Sequence, residues 1–277
     1  MKALSCLTTA ALAATLFSSP VAAQSADDYH PFLSDKFNIG IGIFYPKKSF
    51  KIRVDGSAPE EEIDFDEALR FDESDATGSL SFRWRFGEKW SFWGQYWNTD
   101  DKSGAILEED LEWEDVVFKA GTFASGGIDI TIARAFFGRT FSAGPQHEFG
   151  LGAGFHWLSL DTFIEGQVLT SLGETEFARE AVSAEFPLPN IGGWYMYSWN
   201  QKWLFQARLD WLSASVGDYS GGLWNSQVGI HWQAFKNIGF GLFYNGFILD
   251  VDVDKDDWRG KAEAKQHGPW LDITASW

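Results

Sequence analysis

Along most of this chain apolar and polar residues alternate one for one, and the apolar rows begin and end in aromatic rings. Trp203, Phe205, Ala207, Leu209 and Trp211 form one row, with Gln206, Arg208 and Asp210 between them. Trp224, Ser226, Val228, Ile230, Trp232 and Ala234 form the next, interleaved with Asn225, Gln227, Gly229, His231 and Gln233. A period of two is a β-strand with one apolar and one polar face. The chain is therefore all-β, and every strand needs an apolar surface against which to lay one side.

The first residues indicate what that surface is. Lys2, the mostly apolar stretch from Ala3 to Phe17, and Val21-Ala22-Ala23 before Gln24 read as an export signal peptide over 1–23. The stretch is too short for a transmembrane helix. Cys6, the single cysteine, lies early in this leader rather than at its end, which argues against a lipid anchor and leaves the mature chain without disulfides. No other segment is apolar enough to cross a bilayer as a helix. An exported chain of apolar-faced strands crosses a membrane only as a closed barrel, with lipid outside and a polar lumen inside.

Composition agrees. Fifteen Trp and 25 Phe suit aromatic belts at two bilayer interfaces, and 28 Gly suit crowded inner walls. The net charge is −17, and becomes −18 once the leader with its one lysine is removed. That balance argues against nucleic acid or an anionic cytoplasmic leaflet as partner.

After a polar lead-in at 24–36, the barrel occupies 37–277, and about twelve strands are expected, with ten or fourteen as alternatives. Their spans are 37–53, 62–71, 77–86, 89–99, 112–124, 128–141, 147–161, 189–200, 203–216, 222–235, 238–252 and 266–277. Pro46 is able to split the first, and the sixth loses its alternation at Arg134, where a bulge is expected. Residues 143–146, 200–202 and 236–237 are short turns, whereas 161–185 and 253–265 read as long connections. If the strands at 203–216 and 222–235 pair with residue numbers summing to 435, Trp203 faces Trp232 and Trp211 faces Trp224 on the outer side. The two Trp levels then lie roughly 19 Å apart along the membrane normal, close to the apolar band of such barrels.

The leader, the alternating strands and the ending Leu271-Asp272-Ile273-Thr274-Ala275-Ser276-Trp277 resemble Gram-negative outer-membrane β-barrel proteins. The resemblance covers nearly the whole mature chain and is specific for the class only. It implies an antiparallel up-and-down transmembrane barrel in the outer membrane. It also implies lipid and lipopolysaccharide as surroundings, and Trp277 as a signal read by the barrel-assembly machinery.

The polar rows give the lumen candidates: Asp64, Asp66, Arg70, Arg83, Arg85, His156, Arg208, Asp210 and His231. A hairpin with residue numbers summing to 149 would place Asp64 opposite Arg85 and Asp66 opposite Arg83, an ion-pair ladder on one wall. Chemistry is harder to find. Lipid hydrolases of this class join a Ser to a His, but His156 and Ser159, like His231 and Ser226, point to opposite faces of their strands. A pairing across strands stays open. Asp252-Val253-Asp254-Lys255-Asp256-Asp257, followed by Glu263, resembles a calcium loop with Asp where the turn wants Gly. Its simpler explanation is an acidic inner face, Asp250, Asp252 and Asp254, continuing above the membrane. Gly150, Gly152 and Gly154 lack a dinucleotide context, and instead let a side chain approach the inner wall closely. The expectation is a non-enzymatic barrel without cofactor or metal. It is a narrow channel for a small solute or a largely filled barrel with a structural or surface role, and a lipid-modifying hydrolase is the alternative.

Overall fold

The computed structural model describes residues 30–55, 62–71, 74–113, 116–169, 175–254 and 259–277. The leader at 1–23 and residues 24–29 of the lead-in lie outside the described residues. Helix α1 (Pro31–Ser34) precedes strands β1 (Phe37–Phe44) and β2 (Lys47–Val54). Strand β3 (Ile63–Asp64) runs into helix α2 (Phe65–Ala68). Then come β4 (Thr77–Phe86), β5 (Trp90–Ile106), β6 (Leu111–Trp113), β7 (Val116–Phe118), β8 (Phe123–Ala143) and β9 (His147–Leu169). The chain ends with β10 (Thr175–Asn200), β11 (Trp203–Val216), β12 (Tyr219–Gln233), β13 (Ile238–Asp254) and β14 (Arg259–Ser276). No helix among the described residues is long and apolar enough to cross a membrane.

The strands close into an antiparallel ring in the order β1/β2, β4, β5, β8, β9, β10, β11, β12, β13, β14 and back to β1. Counting β1 with β2 as one strand, the ring has ten members, the lower of the expected alternatives. Pro46 does split the first strand. Proline offers no N–H to a ladder, and β1 pairs with the C-terminal half of β14 while β2 pairs with its N-terminal half. At the break the Tyr45 carbonyl oxygen lies 2.1 Å from where a Cβ on Gly268 would stand, so β14 passes only as glycine. The ring is sealed at its ends: Phe37 N–H donates to the Trp277 carbonyl at 2.9 Å, and Trp277 N–H to that of Phe37 at 3.1 Å.

Two expected strands are not in the ring. Residues 62–71 form β3 and α2, because Asp64 caps a helix by accepting from Asp66 N–H and Glu67 N–H. Residues 112–124 contain the small β6–β7 pair, and β8 begins only at Phe123. Two expected connections are instead strand. β9 and β10 stay paired up to Leu169 and Thr175, and β13 and β14 up to Asp254 and Arg259. The 23 residues of β9, tilted as barrel strands are, rise roughly 54 Å, about twice the apolar band. The excess stands clear of the membrane at the end away from the termini, which is the extracellular end in barrels of this kind.

The outer rows are as expected. Ile39, Ile41, Ile43, Leu80, Trp84, Leu209, Trp211 and Trp224 are exposed, and β11 pairs with β12 in the register of sum 435. At the end with short turns the rings touch one another: Trp203 stacks on Trp232 at 6.2 Å, Trp232 on Phe240 at 5.8 Å, and Phe37 on Trp84 at 6.3 Å. No bulge occurs at Arg134, since Ile132, Arg134 and Phe136 all face inward; the register of β8 shifts between Thr140 and Ser142 instead. Asp250, Asp252 and Asp254 face outward, and the inner row of β13 there is Leu249, Val251 and Val253.

β10 and β11 part company early. Their pairing stops at Ile191–Trp211, although each continues upward beside its other neighbour. Pro187 and Pro189 lie on this unpartnered edge of β10, where a missing donor costs nothing. Inside the extracellular half, Ile130, Ile132, Leu158, Leu160, Phe247 and Leu249 pack with Phe65 and Leu69 from α2 and its C-cap, making an apolar core within the barrel.

The face assignment is testable. Leu209→Arg places a charge on the lipid side between the two Trp levels, and should destabilise the barrel by about 2–4 kcal/mol. Asp252→Arg, on the outer face above the band, should change stability little. Denaturant unfolding in lipid vesicles compares the two, and equal losses would show that Leu209 does not face lipid.

Candidate functional site

The lumen is where the polar rows converge, and its periplasmic half is built in charged layers. Alternation turns Arg83 and Arg85 of β4 and Glu148 of β9 inward. Arg83 Nη2 and Arg85 Nη2 donate to the two oxygens of Glu148, the latter at 2.6 Å. Trp194 Nε1 of β10 donates to the same carboxylate at 2.7 Å. Its indole lies over Gly138 and Gly150, where any Cβ would stand within 2.4 Å of the ring. The expected close approach to the glycine wall is thus made by a side chain of the neighbouring strand.

This cluster also holds the N-terminal segment inside the barrel mouth. Arg83 Nη1 donates to the Phe32 carbonyl at 2.9 Å, and Arg85 Nη1 to that of Leu33. The Arg83 guanidinium lies 4.4 Å from the centre of the Trp93 ring and 5.4 Å from that of Phe32. His30 Nδ1 accepts from Phe32 N–H, and the rings of His30 and Phe32 lie 5.8 and 5.1 Å from that of His231. Phe32 and Leu33 are buried, so α1 is a stopper rather than a solvated lead-in.

The next layer joins β8, β9, β11 and β12. Arg134 grips Asp210 with Nε at 2.5 Å and Nη2 at 2.8 Å, a bidentate pair out of contact with solvent. His156 Nε2 lies 2.9 Å from Asn225 Nδ2 and 3.8 Å from Asp210. Beside this layer a cavity of about 40 Å³ is lined by Gln95, Arg134, Gln206, Arg208, Gln227 and Asp272, among others. That volume holds roughly three waters. Above it begins the apolar core, and α1 lies below it.

Six expected lumen residues meet here: Arg83, Arg85, His156, Arg208, Asp210 and His231. Asp64, Asp66 and Arg70 do not. Asp64 pairs with Lys51 at 2.9 Å and Arg70 is exposed with Glu108 at 3.4 Å, while Asp66 lies in α2, higher in the barrel, beside Thr99, Ile130 and Gln266. The ladder of sum 149 is therefore replaced by Glu148 as the one carboxylate that pairs with both arginines. Glu148, Arg134, Trp194 and His30 were missed. Glu148 was readable, since it belongs to the same inward row as Gly150, Gly152, Gly154 and His156.

The Ser and His candidates do not meet. His231 Nε2 lies 3.0 Å from Thr274 Oγ1, and Ser226 Oγ donates to the Gly246 carbonyl on the other face. Ser159 pairs across strands with Thr131 and Glu185, away from His156. At the acidic extracellular end, Asp250 pairs with Lys261, Asp254 with Arg259 and Glu263 with Lys265. The centre of the calcium-like stretch, 255–258, lies outside the described residues. Farther round the rim, hydrogen bonds from Lys119 Nζ and the Ala120 N–H hold the Asp110 carboxyl below the usual carboxylate range.

Removing one partner of a buried ion cluster leaves uncompensated charge. Glu148→Gln should therefore cost roughly 3–5 kcal/mol in denaturant unfolding. Asp64→Asn, which breaks a partly solvated pair, should cost about 1 kcal/mol or less. The reverse order would restore the 149 register.

No family profile and no curated protein matches the chain. Among solved structures it is similar to the outer membrane protease OmpT from Escherichia coli, at 10% identity over 88% of this chain and 97% of that one, with a TM-score of 0.59. Weaker likenesses are the Pseudomonas putida toluene transporter TodX (8% identity, 89% and 91% covered, TM-score 0.40) and Ail, the attachment invasion locus protein of Yersinia pestis (11%, 86% and 98%, 0.29). At such identities the OmpT likeness bears on architecture alone. Its long ten-strand ring, outward aromatic rows and charged interior give this chain the fold of the Gram-negative outer-membrane β-barrels.

Proposed function

We propose that the protein is a closed outer-membrane barrel with a structural or surface role, rather than an open solute channel. The observation that carries this is the filled lumen. A cavity of only about 40 Å³ lies between the α1 stopper and an apolar core, where a channel needs a continuous polar path. The extracellular superstructure is the part offered to the surroundings. It presents an acidic cleft of about 470 Å³ bordered by Glu62, Asp64, Glu67, Glu108, Asp110 and Glu112. Lipopolysaccharide around the barrel and the assembly machinery acting on the Trp277 strand belong to the same proposal. A lipid-modifying hydrolase fits less well, because the two Ser–His candidates lie on opposite strand faces and His156 is sealed from solvent.

Single-channel recording in a planar bilayer tests the proposal. The purified full-length barrel should add no resolved conductance steps. A stable stepwise conductance from the intact protein would establish an open pore and overturn it.

A further inference from the structure

Charge in the middle layer of the lumen is not balanced. Asp210 gives both carboxylate oxygens to Arg134, at 2.5 and 2.8 Å. Arg208 precedes it by two residues on the same inward row of β11, within electrostatic reach of both. Two guanidinium groups thus share one carboxylate. Arg208 is 8% exposed, and its Nε and Nη2 find no acceptor in the protein; neither does Nη1 of Arg134. Both side chains border the same cavity of about 40 Å³.

The other charged groups on that cavity do not supply the missing negative charge. Arg83 is paired with Glu148. Asp272 accepts from the Gly241 backbone and its Oδ1 has no protein partner, but even with it counted the inward Arg83, Arg85, Arg134 and Arg208 face only the carboxylates of Glu148, Asp210 and Asp272. Gln95, Gln206 and Gln227, which complete the polar lining, and water are neutral. They can accept hydrogen bonds from a guanidinium, but they leave a buried positive charge uncompensated, and in a low-dielectric interior that is costly. A small anion meets both needs. The cavity's size admits a monatomic ion with a water or two, and not a bulky organic acid.

We propose that the cavity is a binding site for a monovalent anion of halide size, held by Arg208 Nε and Nη2 and by Arg134 Nη1. The ion is structural. It completes the charge of the β8–β11 wall and is enclosed as the barrel forms, because α1 and the apolar core seal both ends. The enclosure of the ion rests on the closed-lumen reading, whereas its binding rests on the arginines alone, so a conductance step would overturn the first and leave the halide dependence to decide the second.

The test is to refold the full-length barrel from urea into detergent in chloride, bromide or gluconate at equal ionic strength, and to score folding by heat-modifiable migration. Melting should be higher by several degrees in either halide than in gluconate. Crystals grown in bromide should show an anomalous peak beside Arg208. Arg208→Gln should fold and lose the halide dependence, and Asp210→Asn should increase it. Equal melting of the native protein in all three salts, or a bromide map without a peak in the cavity, would overturn the proposal. So would a halide dependence that survives in Arg208→Gln. If Arg208→Gln fails to fold, the bromide map and the native melting series still decide.

Discussion

The backbone hydrogen bonds that join the last strand to the first are the condition on which everything else rests. In hydrocarbon an unpaired N–H or C=O costs several kcal/mol, so a strand sheet is stable there only without edges. The seam that removes the edges joins the start of β1 to the end of β14, with Phe37 and Trp277 exchanging both of their backbone groups. Closure imposes the strict alternation, because every strand then has one side toward lipid and one toward a shared interior. It also fixes the girth. Ten strands enclose more space than the smallest barrels do, and the side chains on the inner rows have to occupy it.

They occupy it in two ways. Toward the termini the filling is ionic, with guanidinium groups clamped on Glu148 and Asp210 and with α1 drawn into the mouth by Arg83 and Arg85. Toward the extracellular end it is apolar, with Phe247, Leu249 and Leu160 meeting the α2 segment as in a soluble core. The two are joined by aromatic side chains that serve both. Trp97 packs against Phe44, Phe247 and Trp270 while its Nε1 donates to Gln266. The tryptophan excess is therefore shared between the lipid belts and the interior, where Trp93, Trp97, Trp113, Trp194 and Trp270 are buried.

Where lipid dictates the pattern, the sequence was legible. The β11–β12 register followed from its tryptophans, and Pro46 marked the split of the first strand. Above the membrane, solvent replaces lipid and the outer row turns polar, so Asp161 to Glu185 resembled a connection although it is largely strand. Pro187 and Pro189 do not interrupt that strand, since a proline's lack of a donor matters only where a partner strand is present. Asp64 to Ala68 alternated well enough to pass for a strand, yet Asp at a cap followed by two acids in the first turn is a helix start. The apolar upper lumen had its own signal in Phe243, Phe247, Leu249 and Val251, interleaved with Leu242, Tyr244 and Ile248: apolar residues on both faces of one strand. The Glu148 clamp was hidden because its partners lie 65 and 63 residues away, and only the ring brings them together.

The early parting of β10 and β11 separates the molecule into two mechanical regimes. Below Ile191 and Trp211 every strand is hydrogen-bonded on both sides, so a change in length or tilt at one position strains the whole circumference. Above them the wall is an open sheet with a free margin on β10, and strain ends at that margin instead of travelling around the ring. The extracellular superstructure can therefore gain, lose or exchange residues along this margin without re-registering the hoop in the bilayer. In that respect the barrel is a fixed socket carrying a variable crown.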